Sequence, residues 1–382
     1  MVAIALVVVM SAAALVIDRL WLDMATEEAQ GIAESAAIAA ARELASDDAL
    51  RSPEPGPDGR IAAAKLAAEN VAAMNHIAGQ AYLLNPDSGD ITFGVKVEVE
   101  ETREIRFVET IHDPRTVRMV VHRLHARGNP VALFVSGLTR VNAGEVRAQA
   151  EASIDNHVVG LQCVGDARVP MIPLAILAKD PMGQRQDTWQ MQIENRRGED
   201  KYRFDPSTGE VVAGSDAIPE IVLNSVPAGE NPAAANMALF DVHGQAGRFP
   251  LDEQIRLGWS AEDLERRDRR FLLTRGPESF GARASVSKQT AAALKSIIGQ
   301  CRAALLFENF NQPERSGMGT IQSSGLVAGR VMAVEEMDGA SYRITFQPGV
   351  LATHSAVLPS DLGMVGVTAQ ASKYIYQLKL TQ

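Results

Sequence analysis

The first seventeen residues, MVAIALVVVMSAAALVI, carry no charge and only one polar side chain, Ser11. No other stretch restricts the fold as strongly, because so apolar a run must be covered by lipid or by protein. About 17 residues is the lower limit for crossing a hydrocarbon core as a helix. Asp18 and Arg19 then arrive together with Trp21 close behind, the chemistry that a membrane–water boundary tolerates. Three structures fit the run: a retained anchor, a signal peptide cleaved near the alanines around residue 13, and a buried core helix. Two features favour the anchor. No basic segment precedes the run, and no turn-forming residue interrupts the pattern before Gly31. The lack of Lys or Arg ahead of it also suggests a natural start upstream of Met1, so orientation is read from the residues beyond the run and not from charge bias.

The helical pattern continues past the charged pair. Ala29, Ile32, Ala33, Ala36, Ala37, Ala40 and Leu44 recur at helical spacing, with Glu27, Glu28, Gln30 and Glu34 as polar neighbours. Alanine is the best helix former and admits close approach of a second helix. This stripe serves either a stalk that packs on its own domain or a helix that bundles with copies or relatives of itself. Spacing alone does not separate the two.

The segment VIDRLWLDMATEEAQGIAESAAIAAAREL resembles the start of TadG-type proteins of the tight-adherence (Flp) pilus system. That family joins an apolar span to a Val-Asp-Gly-Arg-like junction and then to an alanine-rich helix. Asp18 fits the junction Asp, Gln30 the Gln of the family pattern, and Ala36 to Ala41 the alanine run, with Ile38 at the Leu position. Glu34 stands where the family has Asp, and Ala29 where it has Leu.

Beyond the helix, residues 46–60 (SDDALRSPEPGPDGR) read as a linker. An alanine-rich helix is expected over Ile61 to Gly79. Ile91, Phe93, Val95, Val97 and Val99 alternate with polar residues as a strand, and Arg115 to His125 form another. Asn129-Pro130 has the form of a helix start and predicts a short helix through Val141. Val146 to Ile154 alternate again. The stretch TVRMVVHRLHARGNPVALFVSGLTRVNAGEVRAQAEASI is similar to the TadE/TadG arrangement of strand, short helix and alanine-rich strand, and VVGLQCVGDARVPMIPLAIL is similar to the segment that comes after it. From about residue 180 the pattern turns strand-rich. Trp189 to Glu194 and Lys201 to Phe204 are expected as a hairpin, and Leu251 to Arg267 as a helix interrupted near Gly258. A further helix covers Ser287 to Ile298, followed by strands at Arg302 to Phe307, Leu326 to Glu335 and Ser341 to Gln347. The polar stretch from Glu308 to Gly325 is expected as a loop. Segments in this late region are similar to the extended C-terminal part of TadG-related proteins.

Candidate chemistry is sparse. A net charge of −10 gives no concentrated basic face, which argues against a nucleic-acid partner. His122 and His125, three apart on a strand, point to opposite faces and cannot share a metal. Glu98, Glu100, Glu101 and Glu104 read as a solvated sheet edge. Gly317, Gly319 and Gly325 lack the Lys-Ser/Thr of a phosphate loop. No Gly-x-Ser-x-Gly elbow or His-Glu-x-x-His motif occurs. The Asp-x-Ser-x-Ser metal motif carried by some TadG proteins is absent too. Cys163 and Cys301 suffice for one bridge, which would close roughly 140 residues and contribute about 4–5 kcal/mol in the chain-entropy model. The alternative is two buried free thiols.

These readings combine into an α+β expectation. An N-terminal transmembrane, pilin-like helix spans residues 1–45 and a linker 46–60. An α+β domain follows over 61–180, and a strand-rich region over 181–382. The resemblance implies a non-enzymatic component of Flp pilus assembly with no cofactor, metal or small-molecule substrate. Its partners would be the membrane and other pilin-like or pilus-assembly proteins. It would be held single-pass in the inner membrane with its bulk outside the cytoplasm. The rival reading is an anchored extracytoplasmic binding or sensor protein unrelated to pili.

Overall fold

One helix takes up both the apolar run and the alanine-rich stretch after it. The computed structural model describes residues 2–51, 57–98, 104–135, 141–231, 234–242, 251–273, 278–311, 319–338, 341–364 and 369–381. In it α1 (Val2–Leu44) runs unbroken for 43 residues. No proline interrupts it, and alanine and leucine hold a helix well. The chain is α+β and divides into two compact units. The first comprises Met1–Leu44, Gly56–Ile154 and Leu378–Gln382, the second Ala45–Pro55 and Asp155–Gln377. Divisions were expected after residues 45, 60 and 180; residues 155–180 belong to the second unit.

In the first unit, α2 (Pro57–Ala73) begins on a proline, whose missing N–H costs nothing at a helix start. Ala64, Ala68 and Ala72, spaced by four, are fully buried, and α2 packs on α1. Strands β1 (Ile91–Glu98), β2 (Ile105–Glu109), β3 (Thr116–Arg123) and β4 (Val146–Asp155) form an antiparallel sheet in the order β2-β1-β3-β4. Val117, Met119 and Val121 alternate onto one buried face and pair with Ala152, Ala150 and Ala148. β3 also packs on α1. Small side chains on strand and helix let the two come close, so many short dispersion contacts replace bulk. Residues at the C-terminus join this unit, where the Thr381 N–H donates to Glu151 O at 2.8 Å.

The short helix expected after Asn129 does not form. Asn129 Oδ1 accepts from the Leu124 N–H at 3.0 Å, closing a turn rather than capping a helix. Val131–Ala132 then pair antiparallel with Ala143–Gly144. Residues 136–140 of the expected helix lie outside the described residues. The linker expectation changes as well, because Asp47 is held within the second unit. Its Oδ1 accepts from the Val350 N–H at 2.6 Å, and its Oδ2 pairs with Arg330.

The second unit is built on a seven-stranded sheet. Its strands are β5 (Met171–Leu177), β6 (Ile221–Asn224), β7 (Met237–Phe240), β8 (Ser279–Arg283), β9 (Cys301–Asn311), β10 (Gly319–Met337) and β11 (Ser341–Pro348). The order is β6-β11-β10-β8-β7-β5-β9, and β9 also pairs with β10, so five strands close into a ring. β5 and β9 are parallel, and the other pairs are antiparallel. β10 spans 19 residues. That absorbs both Leu326 to Glu335 and much of the stretch expected as a polar loop; residues 312–318 lie outside the described residues.

All seven residues of β5 are buried, and successive ones enter two different cores. Ile172, Leu174 and Ile176 pack with α3 (Leu251–Leu257) and α4 (Lys288–Lys295) through Ile255 and Leu294. Met171, Ala175 and Leu177 join an aromatic core. There Phe240 meets Trp259 at 5.8 Å and Phe280 at 5.2 Å, and Trp259 meets Phe271 at 5.2 Å. Gly258 ends α3 with φ +80°, and a Cβ there would lie 2.3 Å from Val169 O. Only glycine suits that turn. The expected hairpin shifts register. Gln190–Glu194 is a helical turn, and Tyr202–Asp205 pairs instead with Glu210–Ala213. Trp189 and Ile193 are both buried at a spacing of four, which a strand would send to one face only by leaving Met191 beside them.

Candidate functional site on the N-terminal helix

The two halves of α1 meet different surroundings. Val9, Met10, Leu15, Val16, Ile17 and Leu20 are each at least half exposed, and Val2 is 85% exposed. At 100° per residue these positions spread over about 220° of the helix circumference, and the remaining side carries Ala14 and Asp18. Between Val9 and Leu20 only Ala14 and Asp18 are buried. An exposed apolar surface this broad on one helix is an interaction surface. Among the described residues no helix is long and apolar enough to cross a membrane. The side chains of residues 3, 4, 6, 7 and 8, within the most apolar stretch, lie outside that set.

The boundary residues Asp18, Arg19 and Trp21 take three separate roles. Asp18 is 5% exposed, and its Oδ1 accepts from the Phe134 N–H at 2.9 Å and the Val135 N–H at 3.3 Å. Trp21 Nε1–H donates to Ala132 O at 3.1 Å, and its ring meets Phe134 edge-on at 4.8 Å. Arg19 stays in solvent and pairs with Asp23 one turn on, at 3.1 Å. Gly144 lies against this junction, where a Cβ would come within 2.6 Å of Leu22. The first charge after the apolar run is thus held at Oδ1 by backbone donors of a loop more than a hundred residues away in sequence, while its Oδ2 is buried without a hydrogen-bond partner.

The stripe is covered. Ala29, Ala33, Ala36, Ala37 and Ala40 are 0% exposed, Ile32 3% and Leu44 5%. Of the two readings open at the sequence level, the stripe serves the one in which it packs on its own domain, against α2 and β3. Its surface is used up and presents nothing to copies or relatives of the chain.

The other candidate residues scatter. His122 lies on β3 with Nε2 3.7 Å from Asp90 Oδ1, whereas His125 follows the strand and pairs Nδ1 with Glu145 at 3.1 Å. Glu104 pairs with Arg106 in solvent. Glu100 and Glu101 lie outside the described residues, as does Gly317, while Gly319 and Gly325 are strand residues of β10. Of the two readings of the cysteines, bridge or free thiols, the second holds: Cys163 and Cys301 are free thiols. Their sulfurs point at different carbonyls, Cys163 at Trp259 O (3.9 Å) and Cys301 at Val350 O (3.6 Å). Burial pushes the Cys163 thiol up, away from the reactive thiolate form. Among the described residues no three His, Cys, Asp or Glu side chains are grouped to hold a metal.

Two charged clusters escaped the sequence. Glu151, on β4, accepts from Arg118 at 2.7 Å and pairs with Lys96 at 2.9 Å, and Arg118 lies 4.0 Å over the Phe107 ring. Burial pushes the Glu151 carboxyl up, but the hydrogen bonds and charges of Lys96 and Arg118 together hold it below the usual range. Asp90, 1% exposed, pairs with Arg127 at 2.9 Å. Burial lowers the pKa of His122, Asp90 opposes that, and Arg127 and Arg147 add to it, a net shift that favours the uncharged ring. The signal for the first cluster was Glu151 at a polar-face position of the alternating strand, opposite Arg118; for the second there was none. Neither cluster places a nucleophile beside a base. No family model, curated protein or solved structure matches the chain.

Proposed function

We propose that this chain is a membrane-anchored, non-enzymatic component of Flp-type pilus assembly, held by the tip of α1 with its folded body outside the cytoplasm. The observation that carries the anchor is the uncovered apolar tip, which stops at a buried Asp18 tied to the body through Oδ1. Val2 to Ile17 rises about 24 Å as a helix, short of a typical core of about 30 Å. Local thinning closes such a gap at a fraction of a kcal/mol per Å. The pilus assignment draws on the resemblance of the helix and of residues 116–177 to TadG-type proteins. With the alanine stripe occupied, contacts with other pilin-like helices fall to the tip, inside the bilayer.

The test uses the native host. The protein should stay in membranes through a carbonate wash, and a tag beyond residue 60 should be cut by protease added to spheroplasts. Val9→Lys with Val16→Lys should release it. Deletion of the gene should abolish Flp pili and surface attachment; intact pili would sink the assignment. The second reading, an anchored binding protein, draws on a cleft of about 520 Å³ lined by Gln30, Glu34, Gln149, Glu151 and Thr381. Copurification with an envelope polymer instead of pilus machinery would favour it.

A further inference from the structure

We infer that the loop Val131–Val135 is a second membrane contact, seating the body on the bilayer surface with Phe134 in the boundary between headgroups and acyl chains. This rests on the anchor proposed above. Asp18 is the first charged residue after the apolar run, so in an anchored chain it marks the membrane boundary. The backbone N–H groups of Phe134 and Val135 bond to Asp18 Oδ1, and Ala132 O accepts from Trp21 one turn further along. Hydrogen bonds of this length leave the loop no freedom in depth: it lies where Asp18 lies.

What the loop shows to the outside is apolar. Phe134 is 65% exposed although its ring edge rests on Trp21, and Val141, where the described chain resumes, is 52% exposed. Trp21, on which Phe134 rests, lies one turn beyond the exposed Ile17 on the same helix. The patch is therefore continuous with the apolar tip, and whatever covers the tip covers the loop. Lipid fits for two further reasons. A Trp–Phe pair at the end of an apolar span has the amphipathic character of interfacial aromatic belts. Arg19, with its side chain 76% exposed at the same level, can lay its stem along lipid and its guanidinium among phosphates. The loop also lowers the cost of a carboxylate there: two N–H donors meet Oδ1, leaving only Oδ2 buried without a partner. Cap and wedge are the same five residues. An interfacial element of this kind sinks about 5–10 Å into the headgroup region, and two attachment points fix the tilt of the unit that one flexible helix would leave free.

The experiment reads depth in the full chain. Met10→Cys, Phe134→Cys, Val141→Cys and Leu83→Cys are each made in a Cys163→Ser, Cys301→Ser background and labelled with an environment-sensitive fluorophore. The proteins are reconstituted into phosphatidylethanolamine–phosphatidylglycerol vesicles containing brominated acyl chains, with circular dichroism confirming the fold. Leu83, 79% exposed in the same unit, is the water-side control. The expected result is deep quenching at Met10, shallow-bromine quenching at Phe134 or Val141, and several-fold weaker iodide quenching there than at Leu83. Met10 quenched by bromolipid with both loop labels behaving like Leu83 overturns the loop contact and leaves the anchor standing. Met10 unquenched overturns both.

Discussion

Replacing Asp18 by alanine removes the single acceptor that two loop N–H groups share. Hydrogen bonds to a charged group contribute about 1.5–3 kcal/mol each. The Phe134 bond at 2.9 Å belongs in that range, while the Val135 bond at 3.3 Å is longer and weaker. Together they make the closed loop about 3 kcal/mol more stable than one released to water. At about 1.4 kcal/mol per tenfold, exchange of the Phe134 and Val135 amides should speed up by roughly two orders of magnitude. Asp18→Asn keeps an acceptor oxygen and loses only the charge assistance, about 1 kcal/mol, so its exchange should rise less than about tenfold. Hydrogen-exchange mass spectrometry of the full chain in detergent measures both. The Val120 amide, which bonds to Asp90 O at 2.8 Å within the sheet, reports whether the unit itself remains folded. Unchanged exchange in Asp18→Ala, or equal effects of the two substitutions, would refute the role given to the carboxylate.

Packing and charge give three further outcomes. Ala36→Leu adds three carbons where the wild-type side chain is 0% exposed, so the first unit should lose about 1–3 kcal/mol in denaturant unfolding; no loss would mean the helix is not seated as described. Glu151→Gln should cost about 1–3 kcal/mol at neutral pH by stranding Lys96 and Arg118. Because the folded carboxyl is held below its ordinary value, that stabilisation is present above the unfolded pKa and lost as pH falls through the folded one, so wild type and variant should converge in acid. Asp216 is raised, mainly by burial and further by neighbouring Asp200, so its contribution is present in acid and lost as pH rises through the folded value. Asp216→Asn keeps an acceptor for the Ile218 N–H and the Gln347 side chain, and should raise the neutral-pH Tm by a margin that shrinks on acidification.

Much of the fold was legible where one periodicity had no competitor. The strands at 91, 116, 146 and 341, the capped helix after Ser287 and the break at Gly258 all rest on local chemistry: alternation, a hydroxyl accepting from Thr290 N, a turn that excludes a side chain. The failures share a cause. In Trp189 to Glu194 the apolar residues satisfy both a period of two and a spacing of four, and the core decided by taking Trp189 and Ile193 together. Asn129-Pro130 carries a helix-start signal, but the nearby Leu124 N–H and the distant Asp18 claim the groups a helix would need. The polar residues from Glu308 to Gly325 looked like a loop because polar side chains also line a strand that pairs on both sides, as β10 does with β8 and β9. At the candidate site, the exposed tip and the stripe were both visible in sequence. What the stripe touches was not, since alanine at helical spacing suits α2, a sheet or another molecule equally well.

That last ambiguity bears directly on function. Were the alanine stripe free, the apolar tip could be read as the end of one long surface for bundling helices, with no bilayer required. Filling the stripe with α2 and β3 removes that reading for residues 25–44 and leaves residues 2–20 as a separate problem. The change occurs at Asp18, whose Oδ1 is held by two N–H groups of the body's own loop. A helix meant to bundle along its length would have no reason to end its free surface at such a junction, whereas a helix meant to leave the protein and enter lipid must resolve its last charge at that depth. The junction, more than the hydropathy of the tip, is what favours an anchor.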